Sequence, residues 1–239
     1  MDYPQGQDFT DLETLQLAYD RLRHQAQHQA AFLGTASHEL RSPINQIISL
    51  HQLILEDLCE SPAEEREFIA QANQAIQTVL KNLDLLITLS KFDIGALHPR
   101  LTPTLLQPLI TRVQRMIEMQ CINRHCRLIV GPVGATLQVQ TDPAWLEQAL
   151  VMLIEAALAQ GSPQISLTVS EDATTGNIGL HLGANPGEAP PSAMAALSPE
   201  FRYQLVARLA PHLGATLEFL GDAENPKSLL CLKLPCPTN

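Results

Sequence analysis

Phe32-Leu33-Gly34-Thr35-Ala36-Ser37-His38-Glu39-Leu40-Arg41-Ser42-Pro43-Ile44 is the stretch on which the reading of this chain turns. It lies inside a heptad pattern. Leu15, Leu22, Gln29 and Ala36 are spaced by seven residues, and Tyr19, Ala26, Leu33 and Leu40 repeat with the same period, offset by four. An apolar seam sustained over nearly four heptads predicts a long helix in a coiled coil or bundle. Gln29 is its one polar member, a residue that weakens a seam locally and can fix its register. With the first set at d and the second at a, His38 falls at f, the position that points to solvent. Pro43 interrupts the pattern, but Ile44, Ile47, Ile48 and Ile54 continue an apolar face, which predicts a kink instead of an end.

Outward from this stretch, Glu60-Ser61-Pro62 is expected to break the helix. A second helix starts near Pro62, with Glu64, Glu65 and Glu67 well placed in its early turns. Its seam reads Ile69, Ala72, Ile76, Val79, Leu83 and Leu86, and Gly95 stops it after about Phe92. Two long helices joined by a short turn form a hairpin whose apolar stripe cannot be buried alone. Pairing two hairpins into a four-helix bundle buries it, so a homodimer is expected.

Beyond Gly95 the texture changes. Pro99, Pro103 and Pro108 read as a linker. Strand-like pieces follow at residues 127–130, 136–139, 164–169, 179–182, 216–219 and 229–234, and helical patterns at 105–121, 143–159 and 199–212, which predicts an α/β sandwich. The expected organisation is a flexible N-terminus over residues 1–11, the hairpin over 12–97 and the α/β domain over 98–239.

The 239 residues, 45% hydrophobic, can bury two modest cores. A net charge of -10 disfavours a nucleic-acid partner. No apolar run reaches the roughly 18 residues of a membrane span, and the N-terminus lacks a signal-peptide pattern, so a cytoplasmic chain that does not engage the membrane is expected. Five cysteines, an odd number, suggest no disulfide framework. Cys121, His125 and Cys126 are close in sequence but fit no usual zinc spacing. Buried thiols are the reading, and no metal ligands are assigned.

The stretch from Phe32 to Ile44 closely resembles the H-box of the dimerisation and phosphotransfer domain of sensor histidine kinases. Leu89-Ser90-Lys91-Phe92-Asp93-Ile94-Gly95 resembles that domain's closing segment. The resemblance implies that His38 takes and gives a phosphoryl group. Imidazole suits this, because with a pKa of about 6.5 it offers a neutral nitrogen nucleophile at neutral pH. The resemblance implies that Glu39 acts as a base on the ring. Ser42 stands where many members carry Thr or Asn to orient a dephosphorylating water. Serine keeps the hydroxyl and loses the methyl, which leaves phosphatase activity open.

The same resemblance implies an ATP-binding domain next. Thr141-Asp142-Pro143-Ala144-Trp145-Leu146-Glu147-Gln148-Ala149-Leu150 is similar to the approach to its first characteristic helix. Asp142 reads as a helix cap and Trp145 as a packing residue. The chemistry departs from the pattern, however. Met152 and Ala156 stand where asparagines that help hold Mg²⁺ are expected, and neither offers an oxygen to a hard cation. Glu155 does, but about 100° around the helix from the intended face. The Asp-x-Gly-x-Gly turn is matched by Gly183-Ala184-Asn185-Pro186-Gly187, with Gly183 at the aspartate position and Asn185 at the middle glycine. Glu200-Phe201-Arg202-Tyr203 replaces a glycine-rich phosphate loop, and residues 188–199 leave little room for a lid. Pro190-Pro191 read as a surface loop.

The expected fold is thus α plus α/β, a dimerising hairpin followed by a degenerate ATPase-type sandwich that serves as a cap or docking platform. His38 would exchange phosphoryl groups with the aspartate of a response regulator receiver domain, with no cofactor. An upstream kinase as a further partner is left open. Two alternatives also stay open. One is an ATP-dependent kinase that phosphorylates His38 and needs Mg-ATP. The other is a non-catalytic scaffold that regulates an authentic kinase.

Overall fold

The computed structural model describes residues 8–172, 176–185, 187, 197–220 and 228–237. Helix α1 spans Asp8–Leu55 and continues through Pro43. It ends earlier than the expected break at Glu60-Ser61-Pro62. Asp57 takes a left-handed φ of 55°, which short polar side chains tolerate, and the Leu58 N–H turns back to the Leu53 carbonyl at 3.0 Å. Helix α2, Pro62–Asp93, begins on Ser61, whose side chain accepts from the Glu64 N–H, with Pro62 in its first turn. Gly95, at φ 69°, closes it, and the Ala96 N–H donates to the Lys91 carbonyl at 2.9 Å.

Strand β1, Thr102–Leu105, lies in the stretch expected to be a linker. It pairs antiparallel with β3, Gln138–Thr141, in a two-stranded sheet. Pro103 is tolerated because this is an edge, and Pro108 because it falls in the first turn of α3, Leu106–Asn123. β3 sits two residues later than the expected 136–139. A turn bond from the Leu137 N–H to the Gly134 carbonyl (3.1 Å) precedes it, and Val139 and Thr141 take the buried face. The main sheet has the order β2-β4-β5-β7-β6, built from β2 (Arg127–Val130), β4 (Gln164–Asp172), β5 (Asn177–Ala184), β6 (Thr216–Phe219) and β7 (Ser228–Pro235). β2 and β4 run parallel and the other neighbours antiparallel.

Helix α3, α4 (Pro143–Ala159) and α5 (Pro199–Leu209) cover one face of that sheet. A 3-10 turn, Ala210–Leu213, follows α5 where the sequence suggested continued helix, and Gly214 at φ 68° ends it. The core joins Ile165, Leu167, Leu180, Leu182, Leu232 and Leu234 of the sheet to Leu109, Ile117, Leu150, Ile154 and Leu205 of the helices. Ala36, Leu89 and Phe92 of the hairpin belong to the same cluster. The chain is therefore a helical hairpin packed against an α/β sandwich. No helix among the described residues is long and apolar enough to cross a membrane.

Cys121, Cys126 and Cys231 are buried free thiols, whereas Cys236 is exposed. Burial pushes Cys121 and Cys231 up and takes Cys126 to about 11, which suppresses the reactive thiolate. His125, at φ 51°, is exposed beside the two buried thiols. Iodoacetamide at pH 8 is expected to modify Cys236 first and to leave Cys121, Cys126 and Cys231 intact until the chain is unfolded, as read by peptide mass spectrometry.

Phe92, 3% exposed, sets its ring edge-on to Trp145 at 5.2 Å between centroids and tilted against His212 at 5.4 Å. Trp145 is the chain's single tryptophan. Phe92→Ala is expected to cost about 3 kcal/mol in denaturant unfolding and to shift native Trp145 emission to the red as the hairpin releases it.

Candidate functional site

His38 is exposed on α1. The reason is local: Ala36, Pro43 and Leu50 are spaced by seven and buried, so they define the inward line of the helix, and His38 lies about 200° around from Ala36. Among the described residues no hydrogen bond holds its ring. Ser42, one turn on and also exposed, shares its face. Pro43 has no N–H to give the carbonyl of Glu39, so the helix loses one rung beside the histidine. Ser37 Oγ and Thr35 Oγ1 donate back to the Leu33 and Ala31 carbonyls at 2.7 and 3.2 Å.

Glu39 is half-buried and turned toward the sandwich. Ser198, the N-cap of α5, donates to it twice, from N–H to Oε2 at 2.7 Å and from Oγ to Oε1 at 2.6 Å. The same Oγ accepts from the Phe201 N–H at 3.2 Å. Around this link the two parts of the chain interlock. Phe32 stacks on Phe201 at 5.6 Å, and the Arg208 guanidinium sits 4.3 Å over the Phe32 ring. Arg208 Nε also donates to Asp93 Oδ2 at 2.6 Å, and His212 Nε2 lies 3.1 Å from Asp93 Oδ1. Of the residues singled out from the sequence, His38, Glu39 and Ser42 thus share one stretch of helix, but the partner of Glu39 is a serine that the sequence did not mark. Ser198-Pro199 is legible as a helix start, but nothing local announces a contact across 159 positions.

The positions expected to serve a nucleotide lie elsewhere. Met152 is 2% exposed and Ala156 0%, both in the mostly buried α4. The Glu155 carboxylate is taken by an ion pair with Arg202 and by Gln120 Nε2 at 3.0 Å. Arg202, Phe201 and Tyr203 belong to α5 in place of a glycine loop: Phe201 is core, and burial raises the Tyr203 phenol. Gly183 is not in a turn, as the sequence suggested, but inside β5 opposite Ser166, because the strand runs on to Ala184. Asn185 follows, exposed. At Gly187 an added Cβ would stand 2.2 Å from the Gly161 carbonyl oxygen, so this glycine is required by backbone approach. Pro190-Pro191 and most of the short lid lie outside the described residues. These residues do not fit Mg²⁺: the two asparagine positions carry no oxygen, and the nearby carboxylate is already paired. Asp142 does cap α4, accepting from the Ala144 and Trp145 N–H groups at 3.1 and 3.3 Å. A cleft of about 510 Å³ between α2 and α4 is lined by Lys81, Asn82, Trp145, Gln148 and Met152 among others.

The His Kinase A (phospho-acceptor) domain matches residues 28–95, which include His38. The autoinducer 2 sensor kinase/phosphatase LuxQ of Vibrio cholerae serotype O1 is similar to this chain, 25% identical over 175 residues, covering 70% of this chain and 20% of LuxQ. The chain spans about a fifth of the length of the curated relatives it matches. Among solved structures, the Acinetobacter baumannii histidine kinase AdeS has a similar fold, with a TM-score of 0.64 at 17% identity over 84% of this chain and 98% of that one. So does histidine kinase ThkA, solved in complex with response regulator protein TrrA, with a TM-score of 0.55 at 16% identity over 98% of this chain and 68% of that one. Residues 28–95 thus match a phospho-acceptor domain that holds His38 on its surface, and the chain is similar in sequence and in fold to sensor histidine kinases.

Proposed function

We propose that this chain is a phosphotransfer protein that works through His38 without a nucleotide of its own. The observation that carries the reading is the pairing of an exposed H-box histidine with an α4 whose two expected metal-holding positions are the buried Met152 and Ala156. The unprotonated ring nitrogen of His38 attacks the acyl phosphate of a receiver domain. The N–P bond forms, the P–O bond to the aspartate breaks, and the carboxylate leaves. Reversal onto the aspartate of a second receiver completes the relay. The receivers bring their own Mg²⁺ and acidic pocket, so the hairpin supplies only an accessible nucleophile. Glu39 and Ser42 are the neighbouring groups that tune it. The solved complex of ThkA with a response regulator is in keeping with such a partner.

The hairpin acts as a homodimer in this reading. Leu15 and Leu22, at 72% and 66% exposed, and Leu33, Ile44, Ile69, Ile76 and Leu83 leave an apolar stripe open on a single chain. A second copy covers it in a four-helix bundle. Residues 12–97 form the dimerising unit and 98–239 the docking platform.

A second reading, ATP-dependent phosphorylation of His38, draws on relatives named as kinases. Incubating the purified chain with labelled Mg-ATP separates the two. No label on wild type is the expected outcome, and label lost in His38→Ala would establish the kinase instead. With a phosphorylated receiver as donor, wild type is expected to take label and His38→Ala none, while light scattering shows the variant still dimeric. Transfer that survives the substitution would remove His38 from the reaction.

A further inference from the structure

We propose that Ser198 is a positioning residue for transfer at His38, one that acts by deciding where the Glu39 carboxylate points. The inference rests on the phosphotransfer reading of His38. In the arrangement described, both oxygens of Glu39 are engaged by one residue, through the Ser198 N–H at 2.7 Å and its hydroxyl at 2.6 Å. Hydrogen bonds to a charged acceptor are short and strong. A carboxylate that already receives two is a poorer acceptor for a ring N–H. Adjacent helical residues also project about 100° apart, so a Glu39 side chain turned to α5 is turned away from the imidazole. Among the described residues no bond links the Glu39 carboxylate to the His38 ring.

The chemistry makes this placement matter. When the neutral imidazole of His38 forms an N–P bond, it still carries the proton on its far nitrogen, and the ring becomes cationic. A carboxylate that accepts that N–H stabilises the charge as it develops and then takes the proton, leaving the phosphohistidine ring uncharged. Ser198 withholds this carboxylate while the sandwich is docked. Release of α5 returns it to the histidine. The sandwich thereby acts on His38 without touching it, and the link is reinforced by Phe32 on Phe201 and by Arg208 on Asp93.

Three substitutions in the full chain separate this role from a structural one. Ser198→Thr keeps both the helix cap and the hydroxyl bond. Ser198→Asp keeps the cap, since aspartate is a good N-cap, but repels Glu39. Ser198→Ala removes both. Phosphoramidate serves as donor: His38 nitrogen bonds to phosphorus, the P–N bond to the donor's protonated amino group breaks, and ammonia leaves, so no receiver is required. Labelling of His38 is expected to rise on the order of tenfold in both Ser198→Asp and Ser198→Ala, the shift expected when charge-assisted bonds holding one state are removed. Ser198→Thr is expected to match wild type, and Ser198→Asp to change nothing in a Glu39→Gln background. If Ser198→Asp matches wild type while Ser198→Ala differs, the residue is only a cap and the proposal fails. It fails equally if the rise persists without Glu39, or if labelling falls. A wild type that takes no label would count against His38 as phosphoacceptor. The positioning is then read by nitrogen-resolved NMR of the His38 ring, where Ser198→Asp must show a ring N–H bonded to carboxylate that wild type and the Glu39→Gln double variant lack.

Discussion

Phe92 closes the end of α2 between two rings of the sandwich, Trp145 at the start of α4 and His212 just past α5. Because those two helices belong to one packed layer, a single side chain wedged between their ends orients the whole layer against the hairpin. Phe32, one face on Phe201 and within reach of the Arg208 guanidinium, adds a second fixed point on α1. Two aromatic contacts on different helices of a hairpin define an orientation where one would leave a hinge. Aromatic pairs add about 0.5–1.5 kcal/mol each beyond the area they bury. Asp93, held by Arg208 and His212, sits next to Phe92 and finishes the junction.

The same junction gives α4 its composition. A helix with one face open to a nucleotide needs polar groups there, whereas this helix is flanked by α3 and α5, backed by the sheet and separated from α2 by the cleft. Ala156, 0% exposed, suits a closed face, where an unpaired asparagine amide would carry a desolvation penalty, and the apolar Met152 lines the cleft. Arg202 and Gln120 engage the Glu155 carboxylate. Arg202 does so from α5, so the ion pair braces α4 against the helix that reaches Glu39. The departures from the expected pattern on α4 and α5 fall where the sandwich closes on itself.

Much of this was legible in the sequence because it depends on period and local chemistry. Heptad spacing placed His38 outward, Ser61-Pro62 and Gly95 marked the ends of α2, and Asp142-Pro143 started α4. Other features were hidden for identifiable reasons. The end of α1 at Leu55 relies on Asp57 taking a left-handed conformation, which no glycine announced. β1 carries Pro103, which argues against a strand unless the strand is known to be an edge. Gly183 falls at the aspartate position of an expected turn, but the pairing of β5 with β4 and β7 extends through it. Ser198 and Glu39 each looked ordinary, since what joins them is tertiary structure.

That last pair shows how a helix can separate a nucleophile from the group beside it. His38 and Glu39 are neighbours in sequence but face different surroundings, the first solvent and the second α5. The angular step between consecutive residues lets a packed domain address the carboxylate and leave the imidazole open to an incoming partner. Pro43 adds to this by removing the rung that would tie the Glu39 carbonyl to the next turn. The local helix is thus less constrained at the residue the sandwich grips than at the residues on either side. A domain whose side chains at positions 152 and 156 carry no oxygen still reaches the residue beside His38, because that contact needs only a serine at the mouth of a helix and a rigid aromatic junction to hold that helix in place.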